Sequence, residues 1–324
     1  MKYIASTIVK ASDIGLNNYL FGGILLGWLD SYGALFTYKY LHHTFVTYKM
    51  EKTYFFKPAE QGDCIDFYVT NLKFDKISVN FDLVARINSC KPAKEIINTN
   101  MTFVAIDKKE KRPSKINPFL FEQEEYQKWM KQKVINAMPS DETIYHNQNH
   151  VNEMLSKLSL YNGIINNNDY KLLYAAICYH DLVHIPGDEK NEEKSIEIMR
   201  RDFNKILTEE ELNYISDLIL CTKTDYDYEE IKKVKYADLI HDLDMISFLD
   251  YDVMKNNDVK IKSEYLNFSP LDFYKYKSKY FKRLIKDGIF ISEQYKPFNA
   301  LAIENVKRYN KEIKSLIEDL EANQ

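Results

Sequence analysis

The spacing of apolar residues changes once along this chain, near residue 117. Before that point, one long apolar segment (21–42) is followed by segments in which apolar and polar residues alternate, namely 44–56, 64–74, 78–88 and 95–106. Alternation with a period of two, rich in Val, Ile, Tyr, Phe and Thr, is typical of half-buried β-strands. The first ten residues predict a further strand. We therefore predict an α+β domain over residues 1–116, built from one helix and an antiparallel sheet.

After residue 117 the apolar residues recur mostly at helical spacing. The predicted helices are 122–138, 151–161, 170–179, 192–206, 209–220, 270–286 and 300–321. The charged segment 107–118 contains two prolines and is expected to be a linker. We predict a helical connector over 117–139 and an all-α domain over 140–324.

Length and composition exclude several classes of protein. The 324 residues suggest two domains. A net charge of −4 without a basic face argues against nucleic-acid binding, and no apolar stretch approaches the ~20 residues that cross a bilayer. Four well-separated cysteines are expected to be free thiols in a reducing compartment, the cytoplasm. They are Cys64, Cys90, Cys178 and Cys221.

Three segments of the helical half combine imidazole and carboxylate side chains. They contain His146 and His150, then His180 and Asp181, and finally Asp242 and Asp244. Such ligands suit borderline-to-hard divalent cations. Two ionisable residues at the end of an apolar helix, as at 180–181, need a compensating partner such as a cation. His146 and His150 share a face if their helix extends back far enough. The carboxylates around Asp242 are expected to repel one another without a cation.

The order of these residues resembles the HD superfamily of metal-dependent phosphohydrolases. The likeness continues through Asn191-Glu192-Glu193-x-Ser195, Glu264-Tyr265 and Asn305-Val306. It implies an HD fold with one divalent metal, and it does not distinguish Mn, Fe, Mg, Ni or Zn. The implied ligands are His150, His180, Asp181 and Asp242. The metal would activate water and a phosphoester of a small nucleotide-like substrate.

The same resemblance implies further roles. Glu193 would be an acid/base or water-orienting residue, whereas Asp244 would cap a helix or support the site. His146 either contacts the substrate, supports the ligands or bonds to backbone at a helix start. Two departures stand out. The stretch 221–225 lacks the histidines of two-metal relatives, which favours one metal, and His184 replaces an aromatic residue.

A pair of glycines begins the long helix of the first half. Gly22 and Gly23 would let backbone N–H groups approach a ligand closely and hold a carbonyl as charge develops on it. Asp30 lies on an otherwise apolar helix, so we expect a desolvated carboxylate with a raised pKa that can act as base or nucleophile. The alternative is that the glycines serve only packing and that Asp30 reaches solvent.

This half resembles the hotdog-fold acyl-CoA thioesterases. The likeness rests on Phe21-Gly22-Gly23 with Asp30, His42, Glu51-x-x-x-Phe55-x-Lys57-Pro58, Gly62-Asp63, Ser78-Val79 and Val104-Ala105-x-Asp107. It implies a helix wrapped by the sheet, sites completed by two protomers, and a homodimer or hexamer. Asp30 would carry the catalytic carboxylate and Gly23 an oxyanion N–H. The CoA moiety would contact Ser78, Lys111 and Arg112.

One departure leaves the activity of this half open, because Gly15 stands where some relatives have asparagine. The sequence thus predicts a bifunctional hydrolase acting on acyl-CoA and on a phosphoester. The first alternative is that only the helical half is catalytic, and the hotdog half binds CoA-like ligands or assembles oligomers. The second is a ligand sensor without catalysis.

Overall fold

The computed structural model describes residues 1–88, 92–224 and 227–322. The chain divides into two compact units, Met1–Gln132 and Lys133–Gln324. Cys64, Cys178 and Cys221 are free thiols, and Cys90 lies outside the described residues, as does Asp225 of the stretch that lacks histidines. Within the described part of the chain, no helix has the length and apolar character needed to cross a membrane.

The first unit is an antiparallel sheet with one long helix. Its strands are β1 (Lys2–Ile8), β2 (Phe45–Phe55), β3 (Cys64–Phe74), β4 (Ser78–Ile87), β5 (Lys94–Asp107) and β6 (Arg112–Pro113). They follow the order β1-β3-β4-β5-β2, with the short β6 paired to β5. Helix α1 (Gly22–Phe36) continues into a π-helical turn, Thr37–Leu41.

Helix α1 packs against the sheet through one stripe of side chains. Its buried residues are Leu25, Leu29, Gly33 and Phe36, which recur every three or four positions. Gly33 lies so close to the sheet that a Cβ there would come within 2.7 Å of the Phe103 ring. A helix wrapped by an antiparallel sheet is the hotdog fold, so the predicted α+β architecture of this part is confirmed.

Residues 114–132, which follow β6, belong to the first unit. Helix α2 (Gln123–Lys133) places Glu125, which is fully buried, 2.5 Å from the Lys2 ammonium of β1. The side-chain amide of Gln132 donates to the Leu72 carbonyl at 2.7 Å. The predicted linker 107–118 instead contains the end of β5 and strand β6. Most of the predicted connector therefore packs on the hotdog unit.

The second unit is helical, as predicted. Its helices are α3 (Gln148–Leu158), α4 (Asn167–Tyr179), α5 (Asn191–Phe203), α6 (Glu209–Leu220), α7 (Tyr228–Ile231), α8 (Ala237–Asp244), α9 (Tyr251–Glu264), α10 (Pro270–Asp287) and α11 (Asn299–Ala322). Helix α4 contacts α3, α5 and α6, and α8 contacts α3 and α6. Sequence periodicity missed α7, α8 and α9. This packing brings the ends of α4 and α8 to the first turns of α3.

Candidate functional site

Four side chains of the second unit form what we call the His150 cluster: His150, His180, Asp181 and Asp244. The Nε2 atom of His150 lies 3.5 Å from Oδ2 of Asp181 and 3.0 Å from Oδ1 of Asp244. The Nε2 atom of His180 lies 2.9 Å from Oδ2 of Asp181. Both imidazoles are buried. The side chains of Asp181 and Asp244 are 17% and 22% exposed, so the cluster opens to solvent on its carboxylate side.

Local structure fixes the orientation of both imidazoles. Helix α3 begins after Asn147, whose side chain accepts hydrogen bonds from the N–H groups of Asn149 and His150. The His150 ring therefore lies in the first helical turn, and His146 precedes the helix instead of sharing its face. At the end of α4, Nδ1 of His180 is 2.8 Å from the Ile177 carbonyl. Because only an N–H can donate there, the Nε2 lone pair of a neutral His180 faces the carboxylates.

Charge and burial are strongly coupled in the His150 cluster. Burial lowers the pKa of His180, but the Asp181 carboxylate outweighs it and raises that pKa to about 9. Burial favours the neutral form of Asp181 as well, yet the neighbouring imidazoles hold its pKa far below the usual range. The pKa of Asp244 is also lowered, against the effect of burial, by His150. The two carboxylates are thus held ionised next to two imidazoles.

The structure does not bring Asp242 into this cluster. Its fully buried carboxylate accepts hydrogen bonds from the N–H groups of Ile291 and Ser292 at 2.8 Å and from the Ser292 hydroxyl at 2.6 Å. These donors compensate the burial of the Asp242 carboxylate. Asp244, two residues later on α8, is the carboxylate that lies beside His150, with its Oδ1 3.0 Å from Nε2 of that imidazole.

The start of α5 organises the loop that follows the His-Asp pair. The side-chain amide of Asn191 accepts from the N–H of Ile185 and donates to its carbonyl, at 2.9 and 3.0 Å. The hydroxyl of Ser195 accepts from the N–H of Val183 at 3.0 Å. The Asn-Glu-Glu-x-Ser motif therefore holds this loop in place.

The two glutamates of that motif lie in different surroundings. Glu193, the predicted acid/base residue, accepts from the Lys223 ammonium at 2.8 Å. Although partial burial acts against it, this ion pair lowers the pKa of Glu193, which makes the carboxyl a poor proton donor. Burial raises the pKa of Glu192, and the Asp181 charge raises it further. Sequence reasoning missed Glu192, and its position in the same motif was the available signal.

A second set of side chains, which we call the Glu264 cluster, consists of His146, His184 and Glu264. Nδ1 of His146 is 2.6 Å from Oε2 of Glu264, and Nε2 of His184 is 3.5 Å from the same oxygen. The two imidazole rings stack with centroids 3.4 Å apart. Burial lowers the pKa of His184 to about 4, whereas nearby carboxylates raise that of His146 against the effect of burial.

In the first unit, the N-terminus of α1 faces an open, partly polar cavity of about 280 Å³, to whose lining Lys57 contributes. The cavity is lined by residues that include Leu20, Gly22, Leu25, Phe55, Phe56 and Ile96. Phe21 precedes the helix and gives no side-chain cap among the described residues. The first N–H groups of a helix have no acceptor within it. The N–H groups of Gly22 and Gly23 are therefore donors at the end of a helix with a positive dipole.

Asp30 is exposed in the single chain, which corrects the expectation of a desolvated carboxylate. It lies on the face of α1 that points away from the buried stripe, together with Gly23 and Gly27. The Thr47 hydroxyl of β2 donates to Oδ1 of Asp30 at 2.6 Å. This hydrogen bond orients the carboxylate.

The predicted CoA contacts lie at two places. Ser78 begins β4, and its carbonyl accepts from Asp75 N–H at 2.7 Å. Lys111 is exposed in the turn between β5 and β6 and has a φ of 52°. Arg112 is also exposed, but its guanidinium pairs with Glu110, so Lys111 is the freer cation of the two.

Two curated proteins are similar to part of this chain. An uncharacterized acyl-CoA thioester hydrolase of Haemophilus influenzae is 28% identical over 106 residues, which are 31% of this chain and 69% of that protein. An uncharacterized acyl-CoA thioester hydrolase of Bacillus subtilis is 31% identical over 110 residues, 32% of this chain and 63% of that protein. The chain thus spans less than two thirds of the second relative. The hotdog part, about a third of the chain, is homologous to these proteins.

Two solved structures match about a third of this chain. A hexameric thioesterase from Yersinia pestis has a TM-score of 0.34 and 22% identity, and the match covers 36% of this chain and 94% of that chain. A hexameric hotdog fold thioesterase of Campylobacter jejuni has a TM-score of 0.34 and 20% identity, covering 37% and 93%. No protein-family model matches the chain.

Proposed function

We propose that the first unit hydrolyses acyl-CoA thioesters. The observation that carries this proposal is the pair of N–H donors at Gly22 and Gly23 beside an open cavity, with Asp30 on the same helix. Backbone donors at a helix N-terminus stabilise a carbonyl oxygen on which negative charge develops. The sequence similarity to two proteins named as acyl-CoA thioester hydrolases supports the same substrate class.

In this proposal the site is shared between two copies of the chain. Gly23 and Asp30 are seven residues apart on α1, or about 10 Å along the axis at 1.5 Å per residue. One carbonyl carbon cannot easily lie within reach of both groups of a single chain. The Asp30 carboxylate would act on a thioester held by the Gly23 N–H of the other copy, either as nucleophile or by taking a proton from water.

An exposed sheet edge supports assembly into a homodimer or a hexamer. Strand β2 lies at one end of the sheet order, next to α1. Its exposed residues include Val46, Tyr48, Tyr54 and Phe55. A long apolar edge strand is a template for pairing with another chain. Pairing here would bury Asp30, whose partner Thr47 lies on the same strand.

Thiol release from a panel of acyl-CoAs tests this function. We expect turnover by the full chain and a loss of at least a hundredfold in Asp30→Asn, with Ser31→Ala as the control on the same helix. Lys111→Ala is expected to raise KM for acyl-CoA with kcat retained, because it would contact a CoA phosphate. An oligomer that binds CoA without hydrolysis would instead support the alternative that this unit is a binding or assembly module.

For the second unit we propose an HD domain that uses one divalent cation at the His150 cluster to hydrolyse a small phosphoester. The donor set suits a divalent cation. Nε2 of His150 and Nε2 of His180 are buried and have no hydrogen bond of good geometry within the described residues. Two ionised carboxylates next to two such nitrogens are an arrangement that a cation would stabilise. His150, His180, Asp181 and Asp244 would hold it.

In this proposal the cation and the residues around it have different chemical roles. A bound cation supplies Lewis acidity toward a phosphoryl oxygen. Ile177 fixes the tautomer of His180, so that Nε2 remains available as a ligand. Glu192, whose pKa is raised by burial, is the residue suited to hold or deliver a proton near Asp181.

Metal analysis tests this second function. Purified full-length protein is expected to hold one divalent metal ion per chain more than the His180→Ala/Asp181→Ala variant. A phosphoester panel with Mn²⁺ should then yield a substrate whose hydrolysis the double variant cannot catalyse. His43→Phe, in the other unit, is the control. Failure of both acyl-CoA and phosphoester hydrolysis would favour a non-catalytic ligand sensor.

A further inference from the structure

We infer that the Glu264 cluster is a second divalent-cation site, distinct from the His150 cluster. One ligand atom from each of His146, His184 and Glu264 can be chosen so that all three lie within 4.8 Å of one another. Their side chains are 16%, 17% and 6% exposed, so the site is enclosed and yet reachable from solvent. The residues come from three separate parts of the chain: the segment before α3, the loop after the His-Asp pair, and the end of α9.

The backbone fixes the direction of the carboxylate in this cluster. Oε1 of Glu264 accepts from the N–H groups of Tyr145 and His146 at 2.8 and 2.9 Å. These bonds hold the carboxylate plane, which leaves Oε2 directed at the two imidazoles. A ligand oxygen oriented by backbone donors is typical of built metal sites.

If no cation is bound, the hydrogen bonds within the Glu264 cluster leave one buried nitrogen atom without a partner. Glu264 accounts for His146, but the buried Nε2 of His184 has no hydrogen-bond partner within the described part of the chain. Buried ring nitrogens normally have a partner, whether donor or acceptor. A cation bound by both neutral imidazoles and the carboxylate would satisfy all three side chains.

Two histidines and one glutamate are a donor set that binds Zn²⁺ and related borderline cations while leaving coordination positions open. The Tyr145 ring contacts His146 on one side and His150 on the other, with centroids 5.0 and 4.5 Å apart. The two clusters are therefore neighbours, linked by their contacts with one ring. An anionic substrate oxygen could bind at the open coordination positions. This substrate contact rests on the proposed phosphoester hydrolysis, whereas the binding of the cation does not.

Zinc stoichiometry of the full chain tests the inference. The protein is stripped with a chelator, incubated with Zn²⁺, passed through gel filtration and analysed by mass spectrometry for metal per chain. We expect two Zn²⁺ for the parent and one for His184→Phe, which keeps the ring stacking on His146. Glu264→Gln keeps an acceptor for the two N–H groups and should also fall to one. His43→Phe serves as the control for adventitious imidazole binding and should remain at two.

The double variant His180→Ala/Asp181→Ala separates this inference from the proposed function. If both sites exist, it retains one Zn²⁺, and its combination with His184→Phe retains none. A single Zn²⁺ in the parent that disappears with His184→Phe but survives in the double variant would support the Glu264 cluster and remove the His150 cluster. A stoichiometry that His184→Phe and Glu264→Gln leave unchanged, in folded protein by circular dichroism, would overturn the inference.

Discussion

Asp242 and Asp244, two residues apart on α8, direct their carboxylates into different surroundings. Asp242 is enclosed by the N–H groups of Ile291 and Ser292 and by the Ser292 hydroxyl, whereas Asp244 lies 3.0 Å from Nε2 of His150. The first is a structural acceptor and the second a candidate ligand. The roles of these two acidic residues can therefore be tested separately, although both lie in one sequence motif.

We predict that Asp244→Asn reduces the metal affinity of the His150 cluster at least tenfold, because a charged ligand is lost. Asp242→Asn should keep the metal but lower the free energy of unfolding by about 1–3 kcal/mol, since its amide NH₂ would meet backbone donors. Metal titration and urea unfolding of both variants check this. The reverse pattern, with metal lost only in Asp242→Asn, would restore the assignment made from sequence.

Glu192 and Glu193 provide a second matched pair. Glu192→Gln is expected to lower kcat for the best phosphoester substrate by about 10²-fold or more with metal content unchanged, as expected for loss of a proton donor or acceptor. Glu193→Gln removes only an ion pair with Lys223 and should have a much smaller effect on kcat. Rate measurements with metal analysis of each variant distinguish the two residues. Equal losses of kcat would contradict separate roles.

Mixing two inactive variants tests the shared thioesterase site. Gly23→Ala would place a Cβ 2.6 Å from the Phe21 ring and disturb the N–H donor, while Asp30→Asn removes the carboxylate. Co-assembled chains should regain about a quarter of the parent activity, because random pairing in a two-fold dimer yields one intact site in half of the dimers. Thiol release before and after co-refolding measures it. No recovery, despite mixed oligomers, would place both groups of a site in one chain.

We predict that the oligomer forms through the edge strand β2. Tyr48→Lys adds a charge to its exposed apolar surface and should shift the protein toward monomer in light scattering coupled to gel filtration. Tyr3→Lys, on the opposite edge strand β1, is the matched control, and both tyrosines are exposed. Dissociation by the control alone would move the interface to β1.

The second unit contains a buried ion pair, and we predict that removing one of its partners destabilises the unit. The Lys277 ammonium lies 2.6 Å from Oδ1 of Asp258, and the Tyr309 hydroxyl donates to Oδ2 at 2.7 Å. Lys277→Met leaves this carboxylate without its cation and should cost about 3–5 kcal/mol in urea unfolding. The double variant Lys277→Met/Asp258→Asn should recover most of that loss. If the single and double variants were equally destabilised, the loss would come from packing of the Lys277 side chain and not from the unpaired charge.

Some features of both units followed from local patterns. The strands of the hotdog unit and helices such as α6 and α10 were predictable because side-chain period reflects which face of a segment is buried. The grouping of His150 with His180 and Asp181 was indicated by residue type and by their places at helix ends. A resemblance in motif then gave these residues a chemical interpretation.

Other features depended on packing that no local pattern records. Residues two apart on a helix lie about 200° around its axis, so the rotation of α8 against α3 and α6 decides that Asp244 and not Asp242 faces His150. Packing also brings His184 and Glu264 together, although they are 80 positions apart in the sequence. It likewise leaves Asp30 exposed on the unpacked face of α1. The sequence by itself determined most of the strands of the first unit, the longer helices other than α9, and which residue types can bind a cation. Only the tertiary structure decided which of those side chains meet, because helix rotation and long-range contacts arise from the packing of the whole unit.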